Sequence, residues 1–177
     1  MARLYPDLVE DILIIGALSC GKIPGRKSIL EMLTLTPIIG NSIFRSIMQW
    51  WHLDEARFTL GMRTAVFNAK IDGMIPAKML SELRQSNYSM MWQTANWVSR
   101  QDNSQHLHEV QQSVSSFIGL NDPVVPADHQ LKMLQSLPSS HAVLLKTGHI
   151  LMIEAPEHFQ KAFWAWMTMS KHKRNTR

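Results

Sequence analysis

From Ile12 to Ala17 the chain is an unbroken apolar run, Ile-Leu-Ile-Ile-Gly-Ala. Continuous β-branched runs of this length predict a strand buried on both faces. Gly21 to Lys27, with Pro24 and Gly25, reads as a loop. From Ser28 to Trp97 the apolar period becomes helical. Ile29, Leu30 and Leu33 form a first stripe. Ile38, Ile39, Ile43, Ile47, Trp50 and Trp51 form a second, with Asn41 and Arg45 on its far side. A third runs through Phe58, Leu60, Met62, Val66 and Phe67 and ends at Asp72-Gly73. Met79, Leu80 and Leu83 come after Pro76, and Met90, Met91, Trp92, Trp97 and Val98 close the region. Gln101 to Gln105 reads as a polar linker. Val114 to Gly119 and Ala142 to Leu145 predict two more strands. Pro156 suits the first position of a final helix, where its missing N–H is not needed. Phe159, Phe163, Trp166 and Met167 then share one face of that helix.

Strands therefore come first and last, with roughly 80 residues of helical pattern between the first and the second. An ordinary crossover between parallel strands holds one helix. The expected architecture is α/β: a parallel sheet of about three strands flanked by helices, with a helical insertion after the first strand.

Composition narrows the function classes. The 177 residues are 45% hydrophobic and 18% charged, ordinary for a globular chain. Twelve methionines and six tryptophans are many for this length and are expected to act as adaptable core filler. The net charge is +4, and Lys171, Lys173, Arg174 and Arg177 place much of it after the last apolar residue. Residues 171–177 are expected to form a basic disordered tail. No basic face interleaved with aromatic platforms is visible, so no nucleic-acid partner is expected. The single Cys20 excludes an intramolecular disulfide and fits a reducing compartment. No apolar run is long enough to span a bilayer. Asp7, Glu10 and Asp11 stand where a signal peptide carries positive charge, so a cytoplasmic location is expected.

The chemistry concentrates near the end of the chain. Phe117-Ile118-Gly119-Leu120-Asn121-Asp122-Pro123 ends one strand in an aspartate. Lys146-Thr147-Gly148-His149 stands directly after the next. The two residues are 27 apart, room for one helix and its turns. Both then lie on loops at the same end of neighbouring parallel strands, where open α/β sheets gather their sites. A carboxylate beside a histidine fixes its tautomer and stabilises its cation, which is what a general base requires.

In order along the chain, Gly119-Leu120-Asn121-Asp122-Pro123-Val124-Val125-Pro126, Gly148-His149 and Glu154-Ala155-Pro156-Glu157-His158-Phe159 resemble the C-terminal end of an α/β-hydrolase. By that resemblance Asp122 and His149 stand at the acid and base positions of a Ser-Asp-His triad. Met1 to Gly16, with Tyr5-Pro6, is similar to the segment just after the nucleophile elbow in the family. The elbow serine and the oxyanion donors are thus expected before Met1. The resemblance implies a partial α/β-hydrolase fold, with residues 1–20 and 106–170 as the core portion and 21–105 as a helical cap. It also implies a carboxylic-ester (acyl) hydrolase of esterase or lipase type, with no cofactor; the apolar, aromatic composition of the cap region points to an apolar or aromatic ester-like substrate. Carrying only the acid and the histidine, this chain is expected to be inactive alone, as the product of a truncated gene or a shifted start codon would be. The alternative is a non-catalytic binding or assembly module. Its cap and exposed first strand edge would engage a partner chain or a second copy.

Three other patterns fail on their own chemistry. Gly16-Ala17-Leu18-Ser19-Cys20-Gly21-Lys22-Ile23 nearly spells a phosphate-binding loop, but Ile23 has no hydroxyl for Mg²⁺ and Pro24-Gly25 breaks the helix that must come next. Ala17-Leu18-Ser19-Cys20-Gly21 imitates a nucleophile elbow, and the same proline obstructs the helix whose first N–H would hold the oxyanion. Eight histidines invite a metal reading, yet His106 and His108 have no third ligand in view. His52, His106, His108, His129, His141 and His158 are expected to be solvated surface residues.

Overall fold

The computed structural model describes residues 1–21, 34–67 and 77–175. The chain divides into two compact units. The first comprises Met1–Ser19, Ala65–Asn68 and Asn103–Arg177, and the second Cys20–Thr64 and Ala69–Asp102.

The first unit is built on three parallel strands, β1 (Asp11–Ile15), β2 (Ser113–Gly119) and β3 (Ser140–Leu145), in the order β1-β2-β3. The register pairs Asp11 with Ser113 and Val114 with Ser140. Strand side chains alternate between faces. Val114 and Ile118 therefore look to one side, where Met133 and Leu134 of the helix α5 (Ala127–Gln135) close a core joined by Ile12 and Ile14. Phe117 looks to the other and is fully buried. It meets Phe159 edge-on at 5.8 Å on the long helix α7 (Pro156–Asn175). At the far end of α7 the Ser170 hydroxyl donates to Asp11 at 2.6 Å, tying the helix to the start of β1.

Pro156 opens α7 as the sequence predicts. Two other features depart from expectation. The helix continues through Asn175, into the stretch expected to be a disordered tail, because nothing between Lys171 and Asn175 breaks a helix. The strand β1 is half-buried at all five positions, where β2 is buried at nearly all of its own. Its apolar run is that of a covered strand, but among the described residues only β2 pairs with it.

The second unit is helical: α1 (Gly40–Trp51), α2 (Glu55–Met62), α3 (Ala77–Arg84) and α4 (Tyr88–Val98). Asp54 caps α2 by accepting from the Arg57 N–H at 2.8 Å, and Asn87 caps α4 through the N–H groups of Ser89 and Met90. Among the described residues, Met48, His52, Phe58 and Met62 are its buried side chains. The predicted stripe at Ile29, Leu30 and Leu33 and the Asp72-Gly73 turn lie outside the described residues. The methionines and tryptophans fill the core only in part: Met48, Met62 and Met133 are buried there. Met90, Trp97, Trp50, Trp164 and Met169 are each more than half exposed. Ala65–Asn68, inside the span expected to be cap, belongs with the sheet unit.

Candidate active site

Both predicted residues leave the carboxyl ends of adjacent strands. After β2, the Asp122 N–H donates to the Gly119 carbonyl at 3.2 Å and closes a tight turn. The turn buries the carboxyl group, whose side chain has no exposed surface. Oδ1 accepts from the backbone N–H groups of Val124 and Val125, both at 2.8 Å. β2 ends at Gly119 and Pro126 stands directly before α5, so the loop between them is short. Oδ2 accepts from the Gln130 side-chain amide at 3.3 Å and faces His149 Nδ1 at 2.9 Å.

A carboxylate only accepts hydrogen bonds, so the proton between the pair belongs to Nδ1. Nε2 then carries the lone pair. Among the described residues no group bonds to it, and about a third of the His149 side chain is exposed. Gly16, at the end of β1, makes room for the ring. It adopts φ of 55°, and a Cβ there would stand 3.0 Å from His149 Cε1. The backbone behind the histidine is crowded as well. A Cβ on Gly119 would lie 2.1 Å from the Gly148 carbonyl oxygen, so these two loops touch main chain to main chain.

Sequence reasoning missed Gln130 and Ala65, and it gave Glu154 no role beyond its place in a motif. Gln130 is completely buried and also donates to the Val125 carbonyl at 2.8 Å. Its signal was a polar residue on the apolar stripe of α5, beside Ala127, Leu131 and Leu134. Glu154 accepts from the N–H groups of Gly148 and Phe67. The Ala65 carbonyl accepts from the His149 N–H at 2.9 Å. Nothing in the local pattern at Ala65 signals that contact, which spans more than eighty positions of sequence.

Gly16, which opens the phosphate-loop pattern, serves here as the seat of His149, and the elbow-like motif does not take an elbow's form. No helix begins at Ser19. Its carbonyl accepts from the Asn103 N–H at 2.9 Å, and Cys20 forms an isolated antiparallel bridge with Asp102. The elbow geometry, a nucleophile directly ahead of a helix, is thus not formed there. Lys22 and Ile23 of the phosphate-loop pattern lie outside the described residues. No cluster of three or more His, Cys, Asp or Glu converges among the described residues. His106 instead pairs with Glu109 at 2.7 Å.

His52 corrects the expectation of a solvated histidine. It is 2% exposed and lies against Trp51, Phe58 and Tyr88, with ring centroids 5.1, 5.8 and 5.5 Å away. Its position one turn beyond Met48 places it on the buried stripe of α1. Its Nδ1 is 2.9 Å from the Tyr88 hydroxyl, and Arg84 donates to the carbonyls of His52 and Leu53. Burial, then the Arg84 cation, push the His52 imidazole below its ordinary value. His129 is also half-buried, with Nε2 shielded from solvent.

The architecture is shared with solved structures. A thermophilic esterase from Thermogutta terrifontis superposes with a TM-score of 0.63 at 15% identity, over 96% of this chain and 59% of its own. An α/β-hydrolase enzyme from a Medee basin deep-sea metagenome library gives 0.69 at 16% identity, over 94% and 59%. An enol-lactonase from Burkholderia xenovorans LB400 gives 0.68 at 12%, again over 94% and 59%. No family model and no curated protein matches the sequence. The chain has a partial α/β-hydrolase fold. It spans about three-fifths of the length of these structures. Among the described residues no helix is long and apolar enough to cross a membrane.

Proposed function

We propose that Asp122 and His149 are the acid and base of a serine-hydrolase type of acyl transfer, acting on a carboxylic ester with an apolar or aromatic group. The observation that carries this is the 2.9 Å contact of Nδ1 with a buried carboxylate, with Nε2 unpartnered among the described residues. In the reaction a serine oxygen attacks the ester carbonyl, and Nε2 removes the hydroxyl proton as the C–O bond forms. The carbonyl π pair moves onto oxygen. When that pair returns, the ester C–O bond breaks and Nε2 gives its proton to the departing alkoxide. Water repeats the two steps on the acyl-enzyme and releases the acid. Asp122 holds the imidazole in the right tautomer throughout.

This chain contributes the acid and the base. Its one elbow-like serine, Ser19, stands on a bend without the helix that supplies an oxyanion donor. Removing the nucleophile from such a site costs most of the rate, so the 177 residues alone should turn over esters very weakly. An assay of the purified chain with a short-chain aryl ester tests this. Background turnover, unchanged by His149→Ala, is the expected result. Robust turnover lost on His149→Ala but kept in Ser19→Ala would refute it, and turnover lost on Ser19→Ala would return the nucleophile to this chain.

The second reading, a binding or assembly module, is favoured by the half-buried apolar β1 and by Leu4, Tyr5 and Leu8 exposed just before it. Unpaired apolar strand edges recruit other strands. Light scattering coupled to size exclusion decides: a monomer at all concentrations argues against it.

A further inference from the structure

We propose that Glu154 is a positioning residue for His149, a carboxylate clamp that fixes the histidine's backbone to the segment Ala65–Phe67. The inference rests on the reading of His149 as a base and extends it to the residue that aims it. The Gly148 N–H lies 2.9 Å from both Glu154 oxygens, and the Phe67 N–H donates to Oε2 at 2.9 Å. The His149 N–H donates to the Ala65 carbonyl at 2.9 Å. The four contacts form a closed ring: Ala65 to His149, Gly148 to Glu154, Glu154 back to Phe67.

The ring is tight. A Cβ on Gly148 would fall 2.5 Å from the Phe67 nitrogen and 2.8 Å from the Val66 carbonyl carbon, both backbone atoms that do not give way. Val66 is buried, as is Leu151 on the one-turn helix α6 (Leu151–Glu154) that carries the carboxylate. The direction of the imidazole is then set at two points. Asp122 fixes the ring atom Nδ1, and the clamp fixes the main chain from which the ring departs. Two N–H donors from separate segments converge on Oε2, and the Gly148 N–H also reaches Oε1, so both oxygens of the carboxylate accept. Glutamine has the same shape, but its NH₂ would face an N–H.

Amide exchange measured by NMR on the full chain tests the clamp without requiring ester turnover. In Glu154→Gln, protection at Gly148, His149 and Phe67 should fall about tenfold, the factor for a lost hydrogen bond to a charged group. Ile118 and Val143 in the strands should be unchanged. The His149 Nδ1 proton should exchange faster as the ring loosens. Phe67→Pro removes one donor and sets the pyrrolidine Cδ against Oε2, and it should loosen Gly148 in the same way. Unchanged exchange at the three amides in Glu154→Gln overturns the proposal. So does a uniform loss across β2 and β3, which marks plain structural support, or a His149 Nδ1 proton that does not respond. If the clamp behaves as expected and no form of the protein hydrolyses an ester through His149, the positioning role stands and the acyl-transfer reading falls.

Discussion

Two histidines, one in each unit, place the same ring atom 2.9 Å from an oxygen, yet their chemistry differs. His149 faces a buried carboxylate and keeps part of its ring open to solvent. His52 faces a phenol, is enclosed by aromatic rings, and lies near the Arg84 cation. The carboxylate accepts from Nδ1–H and so leaves the Nε2 lone pair pointing outward. The enclosed aromatic site disfavours a protonated imidazole at every moment. A histidine's role is therefore set by what answers its Nδ1 and by whether Nε2 can reach a substrate. His52 Nε2 is buried, with no hydrogen-bond partner among the described residues, so it has no such access.

The largest expected effect separates the two directly. Asp122→Asn keeps the shape of the acid loop but presents an amide to Nδ1, which drives the ring to the wrong tautomer. In any assembly that hydrolyses an ester through His149, kcat should drop on the order of 10⁴-fold. His52→Phe in the same assay should change kcat little. A large loss from His52→Phe, with Asp122→Asn silent, would reverse the roles assigned to the two rings.

The next effect probes the seat of His149. Gly16→Ala places a methyl 3.0 Å from Cε1 and forces a left-handed φ on an L-residue. A loss of about 2 kcal/mol is expected in chemical denaturation, with the backbone strain alone supplying roughly 1–2 kcal/mol of it. The His149 ring resonances should shift while those of His52 stay in place. Full stability with unmoved His149 signals would show that the imidazole does not rest on Gly16.

Much of the site was legible from sequence because it depends on short-range rules. Strand, Gly, Asp and Pro succeed one another within a few residues at Gly119–Pro123, and Gly148-His149 comes after a strand in the same way. A parallel sheet then brings the two strand ends together without further instruction. The contacts at Ala65, Phe67 and Gln130 were hidden because they depend on which loop returns to which strand. No local pattern encodes that. His52 was misjudged for a different reason. A lone polar residue on a helix reads as surface unless its position is counted on the buried stripe, one turn after Met48. The exposed Trp50, Trp97 and Met90 show the converse error, in which residue type outweighed position.

Acidification should distinguish the two units by a smaller effect. The folded-state value of His52 lies below the ordinary 6.5, so below that pH the unfolded chain binds the proton more readily than the folded one. Stability from this residue is complete above 6.5 and declines as pH falls toward the depressed folded value. The decline is at most about 1.4 kcal/mol per pH unit for one such group. Thermal melts followed by near-ultraviolet circular dichroism should show Tm falling with acid, and His52→Phe should remove part of that slope. An identical slope in both proteins would mean that His52 takes up its proton while folded.

Gln130 offers the smallest and most discriminating change. Its amide donates to Asp122 Oδ2 and to the Val125 carbonyl, but its own Oε1 is buried with no partner. Gln130→Leu removes two donors and also removes that unsatisfied acceptor. The losses and the relief oppose each other, so the net destabilisation should be about 1 kcal/mol or less. Catalysis should be more sensitive than stability. Asp122 would keep the two backbone donors to Oδ1 but lose the amide that steadies Oδ2, the oxygen facing His149. In an active assembly kcat should fall several-fold with KM little changed, a split that a general loosening of the fold would not produce. Gln130→Glu gives the opposite electrostatics in the same volume, with a second carboxyl group beside Oδ2. If both substitutions leave kcat and its pH profile as in the parent, Asp122 is held by its backbone contacts alone, and the helix α5 contributes only packing.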